Sequence, residues 1–78
     1  MVHAFVMVKV SGDADTPGAA DTISGIETVT EAHVVAGDFD VVAEVDAPDM
    51  YTVLDPVADA VRGVDGVTDT RTYVSMTE

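Results

Sequence analysis

Val34-Val35-Ala36-Gly37-Asp38-Phe39-Asp40-Val41-Val42-Ala43 sets β-branched runs on either side of a Gly-Asp pair. A Gly-Asp between two such runs is a strong short-range signal for a β-hairpin. The chain is therefore expected to run out along a strand over Val29 to Ala36, turn at Gly37-Asp38, and return along a strand over Phe39 to Asp46. Two acids bracket an aromatic ring at the tip, so the same turn is the first place to look for a polar ligand.

Outward from this hairpin the periodicity changes in a regular order. Val2 to Val10 alternates strictly, with Val2, Ala4, Val6, Val8 and Val10 on one face, which predicts a first strand. Thr16-Pro17 reads as an N-cap followed by proline at the first helical position, with Ala19, Ile23 and Ile26 on the buried side. Beyond the hairpin, Pro48 is expected to open a second helix whose apolar stripe is Val53, Leu54, Val57 and Val61. Pro56 removes a backbone donor inside that helix and should kink it. Gly63-Val64-Asp65-Gly66 closes it, and Val67 to Met76 reads as the last strand.

The resulting order, β-α-β-β-α-β, with right-handed crossovers, gives an α+β ferredoxin-like fold: a four-stranded antiparallel sheet with both helices on one face. The expected helix-facing residues are the five of the first strand, Ala32 and Val34, Val41, Ala43 and Val45, and Thr72, Val74 and Met76. His3, Phe5, Met7, His33, Val35, Val42, Glu44, Arg71 and Tyr73 then fall on the opposite face. A free face carrying Phe5, Met7, Val35, Val42 and Tyr73 is too apolar to be left in water, and a core from 78 residues is thin without further burial. Two copies are expected to pack sheet against sheet through those five residues.

The chain is long enough for one domain, residues 1–78, and has no cysteine, which excludes disulfides and thiolate metal sites. No apolar run approaches the ~18 residues of a membrane span, and Met1 to Val6 lacks the basic segment of a leader, so a cytoplasmic protein is expected. Fifteen acids against three Lys and Arg give a net charge of −12, which argues against direct contact with nucleic acid. The same balance, with 47% hydrophobic residues and almost no lysine, reads as adaptation to a molar-salt cytoplasm, where screening is short-ranged.

The valine strand ending in Gly-Asp-aromatic-Asp, the strand and helix after it, and Gly66-Val67-Thr68-Asp69-Thr70-Arg71-Thr72 running into the last strand resemble the effector-binding domain of the Lrp/AsnC transcription regulators. That domain is also called the regulation-of-amino-acid-metabolism domain. The resemblance extends over essentially the whole chain. Full-length members carry an N-terminal helix-turn-helix, whereas the first strand here starts at residue 2, so a stand-alone effector domain of halophilic archaeal type is expected. The resemblance implies homodimers that assemble into rings of four dimers, an amino acid bound where dimers meet, and a DNA-binding Lrp-type regulator as a further partner. It also implies effector contacts from Gly37, Asp38, Phe39 and Asp40 and from Thr70 and Thr72.

The residues themselves allow that reading. Backbone amides around Gly37 can meet a carboxylate, and Asp38 or Asp40 can pair with an α-ammonium. They equally allow a plain turn flanked by ordinary strand threonines. His3 and His33 with Glu44 raise the question of a metal or acid-base site, but no ligand spacing supports one, and neither metal nor cofactor is expected. Arg71, beside Tyr73, is expected to be an interface ion-pair partner for Glu44 or Asp40. No Ser-His-Asp or Cys-His arrangement and no phosphate-binding loop is evident. The competing function is a small dimeric α+β-barrel enzyme of monooxygenase or isomerase type using His3, His33 or Tyr73, since the fold alone hosts both.

Overall fold

In a computed structural model, which describes residues 1–77, the chain folds as β1 (Val2–Val10), α1 (Thr16–Ser24), β2 (Val29–Val34), β3 (Val41–Ala47), a helical segment beginning with α2 (Met50–Thr52) and ending with α3 (Ala58–Arg62), and β4 (Val67–Val74). The four strands form one antiparallel sheet in the order β2-β3-β1-β4, the split βαβ arrangement expected of this element order.

Alternation in β1 is carried through without exception: Ala4, Val6 and Val8 are fully buried, and Val10 nearly so. Val41, Ala43 and Val45 of β3 stand beside them on the same face, and Ala19, Ala20, Ile23, Val53, Val57 and Val61 come down from the helices. The largest fully buried side chains are one isoleucine and six valines, so the layer between sheet and helices is thin and filled.

Bulges interrupt both edge strands. The pairing Val29↔Val45 is followed by Glu31↔Glu44, so Thr30 is an extra residue in β2. Without it, Val29 and Ala32 could not both face the helices; with it, Val29 is buried while Glu31 and His33 stay on the free face. A register shift near Thr68 does the same for Val67 and Thr70 in β4.

Several elements depart from expectation. The caps lie one residue from where the prolines placed them. Asp15 caps α1 by accepting from the Gly18 amide at 3.1 Å, with Thr16 already helical. Asp49, not Pro48, opens the second helical segment, accepting from both the amide and the hydroxyl of Thr52 at 2.7 and 2.8 Å. A carboxylate accepts a charge-assisted bond from the first turn, and this decides the start. Pro56 does not break the helix: Val53–Val57 widens into a π-helical turn that absorbs the missing donor and continues into α3. Val53, Val57 and Val61 remain buried across it, but Leu54 is turned out and is 52% exposed, contrary to its expected place in the stripe.

Val34 shares the helix-facing side yet is 53% exposed, because β2 is an edge strand whose flank has no neighbour. Met76, expected to face the helices, lies beyond the end of β4 and is exposed. Gly66 holds φ at 90°, and a Cβ there would meet the Ala14 Cβ at 2.7 Å, so this turn requires glycine. Among the described residues no helix is long and apolar enough to cross a membrane.

Candidate functional site

The tight Gly37-Asp38 turn expected from the sequence is instead a six-residue loop, because β2 stops at Val34 and β3 begins at Val41. Gly37 sits at φ 159°, close to fully extended, so no mirror-image turn forms. The cause is visible at the loop's base. Asp40 donates its amide to the Val8 carbonyl at 2.9 Å, accepts from the Val35 amide at 2.9 Å, and accepts the Val10 amide on its carboxylate at 2.8 Å. These bonds tie the return of the hairpin to the end of β1 and leave the chain from Val35 to Phe39 to arch outward.

This divides the Gly37-Asp38-Phe39-Asp40 motif by role. Asp40 is half-buried, and its carboxylate is already engaged by the backbone. Asp38 is exposed; its carbonyl accepts the Lys9 ammonium at 2.8 Å while its carboxylate stands at the tip. Gly37 has open space where a side chain would be, so its backbone can be approached closely. Phe39 is half-buried at the loop's root. Of the two acids, Asp38 is the one available for an α-ammonium.

Thr70 and Thr72 are half-buried on the helix-facing side of β4, opposite Val8 and Val6. Strand β1 lies between them and β3, so two strand spacings, about 9.6 Å, separate the threonine row from the row that begins at Val41. Within one protomer the base of the loop and the threonine row thus flank β1 on opposite sides, Asp40 bonded to Val8 and Thr70 paired with it. Arg71 lies on β4 opposite Met7 on the free face and, within one protomer, approaches Asp69 at 3.7 Å.

On the free face, Phe5, Met7 and Val42 form the central apolar strip, with Tyr73 beside Phe5 on β4 and 59% exposed. Val35 lies in the loop rather than in β2 and is 38% exposed. Toward β2 the face turns polar. His3 Nδ1 is 2.6 Å from Asp46, its Nε2 is 3.3 Å from Glu44, and its ring meets Phe5 edge-on with centroids 5.0 Å apart. The hydrogen bond to Asp46, aided by the charge of Glu44 and opposed by partial desolvation, raises the His3 pKa above its ordinary 6.5. His33 approaches Glu31 at 3.5 Å and Glu44 at 4.0 Å. Strand sidedness already sets His3, His33 and Glu44 on one face; Glu31 and Asp46 join them through cross-strand register, which sequence spacing does not show.

An enclosed catalytic cavity between sheet and helices would need room that Val6, Val8, Ile23, Val41, Val45, Val53 and Val61 occupy. An open groove of about 800 Å³ lies instead between α1 and α3, lined mainly by small residues, Gly18, Ala19, Ala60 and Gly63 among them, and by three aspartates.

Comparison with known proteins agrees with this architecture. The chain is 38% identical over 78 residues to the leucine-responsive regulatory protein of Escherichia coli, in an alignment covering 95% of this chain and 48% of that protein, so it spans about half the length of the curated relatives it matches. The crystal structure of TTHA0845 from Thermus thermophilus superposes with a TM-score of 0.89 at 27% identity, covering 100% of this chain and 96% of that one. The feast or famine regulatory protein Rv3291c of M. tuberculosis, solved with L-methionine, shares the fold at a TM-score of 0.81 and 22% identity, over 100% of this chain and 52% of that one. The sequence profile of the Lrp/AsnC ligand binding domain matches residues 3–78, and the chain belongs to that family.

Proposed function

We propose that this chain is an amino-acid-sensing and oligomerisation module of Lrp/AsnC type, in which the exposed arch of the Val35–Asp40 loop binds the zwitterion at a junction between dimers. The observation that carries this is the division of labour in the loop: Asp40 anchors its base, while the Gly37 backbone and the Asp38 carboxylate are presented outward together. A zwitterion needs donors for its carboxylate and an acceptor for its ammonium, and this tip offers both. The M. tuberculosis protein crystallised with L-methionine supports an amino acid as the ligand class. Because Thr70 and Thr72 lie across β1 from the loop, their contribution comes from a neighbouring copy, so ligand and assembly stabilise one another by mass action.

The free face with Phe5, Met7, Val42 and Tyr73 is the dimer surface in this reading, with Val35 at its margin, and four dimers close the ring. The module is non-catalytic, acts in the cytoplasm, and meets DNA through an Lrp-type regulator rather than through its own surface of charge −12. That charge supports a source that keeps molar salt in its cytoplasm.

Thermal-shift screening of the twenty amino acids in molar KCl, with light scattering alongside, tests the proposal. At least one amino acid should raise the melting temperature and sharpen the assembly, and Asp38→Ala should abolish that rise while leaving the unliganded melting temperature unchanged. A ligand response that survives Asp38→Ala would remove this loop from the site, and no response to any amino acid would remove the sensing role.

A further inference from the structure

We propose that Glu31, His33 and Glu44 form a binding site for a divalent transition-metal ion on the free face of the sheet.

Strand pairing brings the three residues together. The Thr30 bulge sets Glu31 directly opposite Glu44, two carboxylates across a ladder in a protein with few cations. Like charges so placed repel, and the repulsion is relieved when a cation sits between them. The residue two places along β2 on the same face is His33, which brings an imidazole to the pair. One donor atom from each of the three lies within 4.8 Å of the others.

Distances decide whether an ion fits. Tetrahedral coordination with metal–ligand bonds near 2.0–2.2 Å places neighbouring donor atoms about 3.3–3.6 Å apart. Glu31 Oε1 and His33 Nε2 are 3.5 Å apart, already at that separation. Glu44 Oε2 is 4.0 Å from His33 Nε2, and a small side-chain rotation closes the difference. The carboxylate of Glu44 is oriented from behind: its Oε1 faces His3 Nε2 at 3.3 Å, and His3 is held in turn by Asp46 at 2.6 Å. Such outer partners hold a ligand in its bound position.

The donor set of one imidazole and two carboxylates suits Zn²⁺ and its first-row neighbours and lacks the soft sulfur that would select Cu(I). Three protein donors leave the remaining position open on the side away from the sheet. Because this is the face on which two copies are proposed to pack, an ion held here would lie at or beside the interface. The site does not depend on the amino-acid proposal, as it shares no residue with the loop.

Chelator-treated protein titrated with Zn²⁺ by isothermal calorimetry in molar KCl tests the assignment. One ion per chain should bind with a dissociation constant on the order of micromolar, about −8 kcal/mol. His33→Ala and Glu44→Gln should each remove that binding, and His3→Ala should weaken it about tenfold or more. Circular dichroism of each variant establishes that it is folded, as side chains outside the core allow. Absence of saturable Zn²⁺ binding would overturn the proposal, as would unchanged affinity in His33→Ala. Equal affinity for Mg²⁺ would also overturn it, since that would report only a diffuse acidic surface.

Discussion

Asp40 illustrates how a residue chosen for one role serves another. As part of a Gly-Asp-aromatic-Asp motif it is an obvious ammonium partner, yet its carboxylate caps the Val10 amide where the register of β4 shifts away. Asp40→Ala should therefore destabilise the unliganded domain by about 1.5–3 kcal/mol, the worth of one bond to a charged group, as read by denaturant unfolding in molar KCl. Gly66→Ala should cost a similar amount, about 1–3 kcal/mol, because it adds a strained backbone to a contact with Ala14. His3 supplies a pH signature. Its raised pKa means that the folded state favours the protonated ring, so its contribution is fully present below about 6.5 and is lost as pH rises through the higher folded value. NMR titration of chelator-treated protein should show His3 titrating above 6.5, and Asp46→Asn should bring it down toward that value.

Among the elements, the strands were the most legible part of the chain. β1 was bounded correctly because its alternation is uninterrupted over nine residues and both its neighbours enforce the same face. The sequence extends the edge strands to Ala36 and Met76, beyond Val34 and Val74 where they end, since apolar residues at a strand's end read the same whether or not a partner strand remains to pair with them. Helix starts were displaced because proline is a conspicuous marker while the capping carboxylate next to it supplies the bond. The Asp49 carboxyl is held below its ordinary 3.8 by the Thr52 amide and hydroxyl, so this cap stabilises above that value and is lost as pH falls through the lowered one. Asp49→Ala should lower the melting temperature at neutral pH and lower it progressively less as pH falls below 3.8, a difference readable in parallel melts. The π-helical turn at Pro56 was readable only as a disturbance; whether a proline kinks or widens a helix depends on the valines it must keep against the sheet.

For the whole molecule, burial and charge pull against each other. A thin valine core with an apolar strip left open gains from a second copy, while a charge of −12 opposes bringing copies together in dilute buffer. Light scattering in molar KCl should therefore report at least a dimer, and Val42→Asp, a charge placed at the centre of the strip, should reduce the measured mass. Transfer to low ionic strength should loosen the assembly or lower the melting temperature; identical melts in dilute and molar KCl would discard the salt adaptation.

What the sequence by itself determined is the order of elements and the sidedness of each strand between its bulges, because side-chain alternation is a property of the extended backbone. From these came the ferredoxin-like frame and the free apolar face, while the resemblance to the Lrp/AsnC ligand-binding domain rests on the Gly37-Asp38-Phe39-Asp40 and Gly66–Thr72 motifs. The tertiary structure alone decided how polar groups are shared. Asp40 was claimed by a strand thirty residues earlier in the chain, and the pairing order β2-β3-β1 with a one-residue bulge gathered Glu31, His33, Glu44, His3 and Asp46 on one patch. Neither outcome is written in local spacing, since hydrogen-bond partners and ligand sets in a sheet are chosen across strands, by register, rather than along them.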